Sequence, residues 1–169
     1  MPIVSFSGKT PKIAESALIA DTAYVLGDVE IGENTSIWPG VVIRGDMRPI
    51  RIGNDCHIED HTMVHGEVVI GDNVMVGHNC VLEGKVGKNS LIGNHACILA
   101  DAEIGSLCLV AANSTVLENT KIPDRSFVVG SPAKIKGKLS QSNIDKMEWY
   151  MLPYADLVKE YKEQGIWKR

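Results

Sequence analysis

The chain has 169 residues, enough for one domain that buries a core, with room for a small appendage. Its net charge of −4 gives no electrostatic basis for binding nucleic acid or an anionic membrane. No run of roughly 18 apolar residues is present, and the amino terminus lacks the charged and apolar regions of a signal peptide. The sequence therefore predicts a cytoplasmic protein with neither nucleic acid nor membrane among its partners.

The main signal along the chain is a repeat of six residues. Aliphatic side chains recur at this interval in three series, separated by shifts after Ile43 and Leu82. The series are Ile13, Ile19, Val25, Ile31, Ile37, Ile43, then Ile52, Ile58, Val64, Ile70, Val76, Leu82, then Val86, Ile92, Ile98, Ile104, Val110, Val116, Ile122, Val128. This period fits neither an amphipathic helix nor simple strand alternation, but it fits a short strand followed by a turn. Three such hexads make one coil, so the sequence predicts an all-β solenoid of about six parallel coils.

Two other positions of the hexad have their own pattern. The fourth residue after the aliphatic is small or β-branched, and the first is often glycine, which permits unusual backbone angles or close approach. Three cysteines occupy the small inward position and the fourth lies one place beyond it; they are Cys56, Cys80, Cys108 and Cys97 respectively. We therefore expect the cysteines to be reduced core residues and not nucleophiles.

The repeat ends after Val128, and residues 130–134 (Gly-Ser-Pro-Ala-Lys) predict an exit turn, since proline restricts the residue before it. We expect a β-helix domain over residues 1–130 and an exit turn with a helical segment over residues 131–169. An uncovered flank of the solenoid is apolar enough to need a cover, so the helix is expected to pack along one side.

The carboxyl-terminal segment carries helix signals. Ser140 and Ser142 are both candidate N-caps for a helix that begins near Asn143. Pro153 is expected to kink or divide this helix, because proline removes one backbone hydrogen bond. The predicted apolar stripe of the helix comprises Trp149, Leu152, Leu157 and Val158.

Spacing also points to a metal site. His65 and Glu83 each follow a hexad aliphatic by one place and are one coil apart, so their backbones should lie roughly 5 Å from each other on one side. His78 belongs to a hexad on a different side and cannot complete the same site within one chain. It could do so across the interface of a trimer. Two histidines and a carboxylate form a recognised catalytic zinc set, although surface histidines of a solenoid commonly have no such role.

Several motifs are more specific than the hexad. They are Ile37-Trp38-Pro39-Gly40, Arg44-Gly45-Asp46, Ile58-Glu59-Asp60, Val64-His65, Gly77-His78-Asn79 and Gly130-Ser131-Pro132-Ala133-Lys134. Through them, nearly the whole chain resembles the γ-class carbonic anhydrase-like family of hexapeptide-repeat proteins. The resemblance implies a left-handed coil and a homotrimer in which three histidines hold zinc, or another divalent metal, between neighbouring subunits. It also implies reversible hydration of carbon dioxide, a small-molecule substrate.

The resemblance carries roles to individual residues of this chain. His78 matches the metal ligand that comes from the neighbouring subunit, and His65 matches one of the other two. Arg44 and Asp46 match residues that form ion pairs around the site. Asp60 matches an acidic partner of that network. Tyr154 matches a tyrosine on the terminal helix that overhangs the site.

The chain departs from the family pattern in three places. Glu83 stands where the family has its third metal histidine, and Glu59 stands where it usually has glutamine. The loop after His65 is short, over residues 66–69, and the family's proton-shuttling acidic loop has no counterpart. A carboxylate oxygen is a harder ligand than an imidazole nitrogen and suits harder metal ions. Iron and manganese therefore join zinc as candidate metals. If Glu83 does not reach the ion, metal binding is weak or absent.

The sequence leaves three functions open. The first is a metal-dependent lyase of the carbonic anhydrase type. The second is acyl transfer or thioester hydrolysis on a coenzyme A substrate with a histidine as general base, although the chain lacks the long projecting loop common in such acetyltransferases. The third is a trimeric binding or scaffold protein whose metal site has decayed.

Overall fold

The structure, a computed structural model, describes residues 3–167 as a solenoid of short strands with one helix. The strands are β1 (Ile3–Val4), β2 (Lys12–Ile13), β3 (Leu18–Ile19), β4 (Tyr24–Ile31), β5 (Ser36–Ile37), β6 (Val42–Ile52), β7 (His57–Ile58), β8 (Met63–His65), β9 (Val68–Ile70), β10 (Met75–Val76), β11 (Val81–Leu82), β12 (Lys85–Val86), β13 (Leu91–Ile92), β14 (Cys97–Ile98), β15 (Glu103–Ile104), β16 (Leu109–Val110), β17 (Thr115–Val116), β18 (Lys121–Ile122), β19 (Ser126–Val129) and β20 (Lys134–Lys138). The helix α1 spans Gln141–Glu163.

The coil has three sides, which we call faces A, B and C. Face A contains β1, the first parts of β4 and β6, then β8, β11, β14 and β17, whereas face B contains β2, the second parts of β4 and β6, then β9, β12, β15 and β18. Face C contains β3, β5, β7, β10, β13, β16 and β19, with β20 added antiparallel at its end. All other pairings between these strands are parallel. The predicted left-handed parallel β-helix is confirmed, with about seven turns when β1 and β2 are included.

The hexad aliphatics fill the inside of the coil, as predicted. They form one continuous core in which Ile43, Ile58 and Leu82 are fully buried. Cys56, Cys80 and Cys108 are buried there too, and burial raises the thiol pKa of Cys56 and of Cys80 to about 11. These two thiols are therefore protonated at neutral pH and serve as core residues. Cys97 is half-buried on the outer side of face A.

The two shifts in the repeat both fall at the edge between faces A and B. At the first, β6 runs without a break from Val42 to Ile52 and turns the corner as one strand. At the second, only three residues separate Leu82 from Val86. A side chain at Gly84 would meet the carbonyl oxygen of Ala102 at 2.4 Å, so this shortened corner requires glycine.

Glycine and asparagine occupy different positions in the turns and meet different steric requirements, which the sequence does not reveal. The glycines after the aliphatics mostly allow close approach: a Cβ on Gly77 would lie 2.2 Å from Asn94 Oδ1. The left-handed backbone positions are taken instead by residues such as Asn34, Asp55 and Asn73, with φ of 56°, 54° and 54°. Asparagine and aspartate tolerate this conformation because their short polar side chains bond locally.

Helix α1 begins earlier than predicted, with Ser140 as its N-cap. The Ser140 hydroxyl accepts a hydrogen bond from the backbone N–H of Asn143 at 3.2 Å. Pro153 lies inside the helix, which continues as one element and is not divided. Among residues 3–167, no helix has both the length and the apolar character needed to cross a bilayer.

The helix covers face C, which confirms the expected packing along one side. Two clusters join it to this face. Leu139, just before the helix, packs with Ile144 and Met147 against Leu91, Leu109 and Phe127, and Tyr154, Val158 and Tyr161 pack against Leu18 and Trp38. The predicted stripe was wrong for Trp149 and Leu152, which are 69% and 72% exposed. The inner residues of the helix recur three and four apart from Ile144 to Val158, and this spacing leaves Trp149 and Leu152 off the buried side.

The outward residues differ sharply between the two faces that the helix leaves uncovered. In the central column of face B, which takes one outward residue from each strand, they are Lys12, Glu30, Arg51, Val69, Lys85, Glu103 and Lys121. In the central column of face A they are Tyr24, Val42, Met63, Val81, Cys97 and Thr115. Face B thus carries a ladder of opposite charges, with N–O distances of 3.0 Å for Lys12–Glu30 and 3.5 Å for Lys121–Glu103. The central column of face A carries no charge.

Candidate functional site

The predicted site residues lie in two clusters, at the two edges of face A. Arg44, Asp46, His65 and Glu83 form the first, at the edge shared with face B, which we call the A/B cluster. Glu59, Asp60, His78 and Tyr154 form the second, at the edge shared with face C, which we call the C/A cluster. Within the chain the two clusters are separate, and residues 3–167 bring no three histidine, cysteine or acidic side chains together as a metal site.

Asp46 connects the A/B cluster. Its Oδ2 accepts a hydrogen bond from Arg44 Nη1 at 2.8 Å, and its Oδ1 lies 3.2 Å from His65 Nε2. Burial opposes ionisation of Asp46, but Arg44 and His65 outweigh it and lower the pKa of the carboxyl. Asp46 is therefore an anion that fixes the orientation of the His65 ring.

Glu83 lies one coil from His65, as their spacing predicts. Leu82 of β11 pairs with Val64 of β8, so the two residues that follow them are stacked. The chain is close here, since a Cβ on Gly66 would lie 3.9 Å from Glu83 Cβ. Within residues 3–167 the Glu83 carboxylate makes neither a side-chain hydrogen bond nor an ion pair. It is half-buried and available to a ligand.

The C/A cluster is organised around the ring of His78. Its Nδ1 lies 3.0 Å from Asp60 Oδ2, and its Nε2 lies 3.2 Å from Glu59 Oε2. The backbone N–H of His78 donates to Asn94 Oδ1 at 3.1 Å. The ring is thus held between two carboxylates at the outer edge of the coil, while 42% of its side chain stays exposed.

Glu59 is a buried acid, and Tyr154 reaches it from helix α1. The Tyr154 hydroxyl donates a hydrogen bond to Glu59 Oε1, and the Glu59 side chain is only 3% exposed. Burial raises the pKa of Glu59, with the nearby hydroxyl and His78 acting in the opposite direction. Burial and the hydrogen bond to Glu59 both raise the pKa of Tyr154, so its hydroxyl keeps its proton. The raised pKa makes Glu59 a better proton acceptor than an exposed glutamate.

A groove of about 440 Å³ runs from the C/A cluster along face C, beneath one side of helix α1. His78, Glu59 and Tyr154 lie at its polar end. Its remaining walls are mostly apolar and include Leu91 and Leu109. The groove is larger than carbon dioxide requires and gives access to the cluster from one side.

One group of residues near the site was missed by sequence reasoning. Trp38 Nε1 donates to Ser36 Oγ at 2.9 Å, and Ser36 Oγ lies 2.8 Å from Nδ1 of the buried His57. The His57 ring in turn stacks on Tyr154, with centroids 4.9 Å apart. His57 points outward from its hexad, and outward side chains are buried only on face C, where helix α1 covers them. Which face the helix would cover is not readable from the repeat.

Comparisons with known proteins bear on this arrangement. A family model described as bacterial transferase hexapeptide (six repeats) matches residues 10–45 and 49–84. A carbonic anhydrase from Geobacillus kaustophilus is 42% identical over 95% of this chain and 91% of its own length. The gamma carbonic anhydrase 2, mitochondrial, of Arabidopsis thaliana is 39% identical over 93% of this chain, which spans 60% of that relative. A solved hexapeptide transferase family protein from Anaplasma phagocytophilum superposes with a TM-score of 0.91 at 32% identity, covering 95% of this chain and 98% of that one.

Proposed function

Because the chain belongs to the γ-class carbonic anhydrase-like family of hexapeptide-repeat proteins, we propose that it is a metal-dependent lyase that reversibly hydrates carbon dioxide. The site is completed between copies of the chain in a homotrimer. His65 and Glu83 come from the A/B cluster of one copy, and His78 comes from the C/A cluster of the next. The observation that carries this proposal is the position of the two clusters on either edge of face A.

The contrast between the three outer faces supports a trimer. Face C is covered by helix α1, and face B is solvated by its charge ladder. Face A has neither a cover nor a charged central column, and Met63 on it is 44% exposed. A partner of the same kind would bury this column, and closed cyclic symmetry would bring opposite edges of face A together at each interface.

The donor set fits a divalent metal. Two imidazoles and one carboxylate form a borderline nitrogen and oxygen set that suits zinc, with iron or manganese as alternatives. Asp60 beside Nδ1 of His78 is a typical carboxylate partner of a metal-binding histidine, and Asp46 has the same relation to His65. When bound, the metal would act as a Lewis acid that lowers the pKa of a water molecule for attack on carbon dioxide.

The chain's own residues supply orientation and proton transfer. Arg44 fixes Asp46, which holds the ring of His65. Glu59 is held through Oε1 by Tyr154, and its Oε2, 3.2 Å from His78 Nε2, is placed to accept and release a proton beside that ring. The adjoining groove, whose walls are mostly apolar, gives carbon dioxide access to the site from one side.

The test is a mixing experiment with two inactive variants. His65→Ala and His78→Ala should each lose the metal, measured by elemental mass spectrometry on untagged protein. Subunits of the two variants are then exchanged by unfolding and refolding them together. A random trimer pairs an intact A/B cluster with an intact C/A cluster at about one interface in four, so about a quarter of the wild-type metal and activity should return. No recovery in mixed trimers would overturn an inter-subunit site, and a metal-free wild-type trimer that takes up no zinc, iron or manganese would favour a scaffold role.

A second function is favoured by the groove beside the C/A cluster. Its apolar walls, which include Leu91, Leu109 and Tyr150, suit a longer substrate such as an acyl thioester of coenzyme A. His78 would then act as a general base in acyl transfer or thioester hydrolysis. Saturation-transfer NMR with coenzyme A tests this directly. Contacts that disappear in Leu109→Glu support it, and the absence of contacts counts against it.

A further inference from the structure

A second groove, of about 640 Å³, lies on the other side of helix α1, and we call it the B/C groove. It runs between the helix and the edge where face B meets face C. Residues of β7 and of the stacked turns form one wall, and helix residues between Glu148 and Lys162 form the other. No residue of the proposed metal site lines this groove.

His57 is the distinctive residue of the B/C groove. Its side chain lines the groove although the residue is 6% exposed. Its Nδ1 is engaged by Ser36, but within residues 3–167 its Nε2 has no hydrogen-bond partner. Every fully buried side-chain nitrogen or oxygen in the same part of the chain has one, so Nε2 reaches the open space of the groove.

The hydrogen bonds around Ser36 favour one tautomer of the His57 ring. Trp38 Nε1 can only donate, so Ser36 Oγ accepts from it. The hydroxyl hydrogen of Ser36 is then available for Nδ1 of His57, 2.8 Å away. With Nδ1 as acceptor, the proton of the neutral ring is on Nε2. Burial lowers the pKa of His57 to about 4, which keeps the ring neutral at pH 7.

The B/C groove thus presents an N–H donor at its floor and a mixed wall on the helix. Leu152 and Val158 provide apolar surface, and Lys159 provides a cation at the rim. Two carboxylates also line the groove, Asp55 and Glu148. The Asp55 carboxylate already accepts a hydrogen bond from Asn34 at 3.1 Å, which reduces its repulsion of a bound anion.

We propose that the B/C groove binds a small amphipathic carboxylate. One carboxylate oxygen accepts the hydrogen bond of His57 Nε2–H, Lys159 lies near the charged end, and the apolar end packs on Leu152 and Val158. The ligand carboxylate replaces solvent as the partner of a donor on a side chain that is only 6% exposed, and hydrogen bonds to charged groups are stronger than those between neutral groups. The proposal does not depend on the metal site, and the B/C edge lies opposite face A, so a trimer formed through face A leaves the groove open.

The test uses sodium hexanoate as probe and the NMR signals of the histidine rings as readout. Hexanoate should shift the Nε2 resonance of His57 in a saturable way, with a dissociation constant on the order of millimolar, as expected for so small a ligand. Lys159→Glu should weaken binding by about tenfold, because it replaces the cation at the rim with an anion. Lys146→Glu on the same helix is the matched control, since Lys146 is exposed but does not line the groove, and it should bind like the wild type.

Two further variants and a second ligand complete the test. His57→Asn removes the Nε2–H donor and should abolish saturable binding, while Leu152→Glu, at a 72% exposed position, should weaken it without loss of fold. Hexanamide should bind more weakly than hexanoate if the carboxylate is recognised. Equal effects of the two lysine variants, or no shift of His57 at about 50 mM hexanoate, would overturn the proposal.

Discussion

Faces A and B are built from the same hexads and bury the same kind of interior, yet their outer sides differ completely. Face B alternates lysine or arginine with glutamate through most of its length, whereas the central column of face A has no charged residue. The inward residues of a solenoid are fixed by the packing of its coils. The outward residues are free of that constraint, so the difference between them indicates that the two faces have different roles.

The difference extends to the edges. The A/B and C/A clusters both flank face A, and neither lies at the edge between faces B and C. In a charge ladder such as Lys12–Glu30–Arg51, neighbouring side chains form ion pairs with each other and remain solvated. An uncharged column flanked by histidines and carboxylates is suited to a partner that buries the column and shares the edges.

The largest expected effect comes from placing a charge on face A. Met63 and Val69 occupy equivalent outward positions on faces A and B and are 44% and 43% exposed. Met63→Glu should weaken self-association by more than about 100-fold, because it buries an unpaired carboxylate at the interface. Val69→Glu should leave association unchanged. Analytical ultracentrifugation over a range of concentrations measures both.

The matched pair also shows how the comparison could fail. If both variants stay trimeric, face A is not the interface. If Val69→Glu dissociates the trimer and Met63→Glu does not, face B is the interface. The A/B and C/A clusters of neighbouring subunits then cannot meet as proposed. Circular dichroism of each variant controls for loss of the β-helix itself.

Face C provides a third kind of outer surface, and its buried histidine makes stability depend on pH. Burial lowers the pKa of His57 from 6.5 to about 4, so the unfolded chain binds more protons than the folded one between these values. Stability should therefore fall as pH decreases from 6.5 towards 4, by about 2 kcal/mol between pH 7 and pH 5. Asp55 opposes this shift without cancelling it.

Urea unfolding at pH 7 and at pH 5 measures the effect. His57→Asn has no titrating ring, so it should lose less stability than the wild type over the same interval. An equal loss in the variant would assign the pH dependence to other groups.

At the edge of face A, Glu83→His tests the departure from the family pattern. The substitution gives the A/B cluster two stacked imidazoles in place of an imidazole and a carboxylate. A neutral ligand leaves more positive charge on a bound metal, which lowers the pKa of the water it activates. We expect about a tenfold rise in kcat/KM for carbon dioxide hydration near pH 7, measured by stopped-flow indicator assay. Glu83→Gln is the control, since it removes the charge without supplying an imidazole, and a rise of equal size in that variant would make the charge alone responsible.

The interior of the fold was predictable because a single period governs it. The six-residue spacing predicted the core from Ile13 to Val128, and the same arithmetic placed Glu83 one coil above His65 on one side of the coil. It also placed His78 on a different side. These predictions depend only on the backbone repeat, which packing enforces in every coil.

What lies outside the repeat was less predictable. The exposure of Trp149 and the continuity of the helix through Pro153 depend on how α1 meets face C, and this contact has no period in the sequence. His57 escaped notice for the same reason. The division of the chain at residue 130 stays a prediction, since the contacts of α1 with face C do not test whether either part folds alone.

The smallest effect should come from disturbing face B. Glu103 lies between Lys85 and Lys121, at 4.0 Å and 3.5 Å, so Glu103→Lys places three like charges in one column. Because these side chains are solvated, the loss of stability should be only about 0.5–1 kcal/mol. It should almost vanish in 1 M salt, where the Debye length is about 3 Å. The Lys121→Glu exchange in the same chain restores alternation and should recover part of the loss. The trimer should be unaffected, because a charge on a solvated face disturbs only its neighbours, and a change in oligomeric state would mean that face B takes part in assembly.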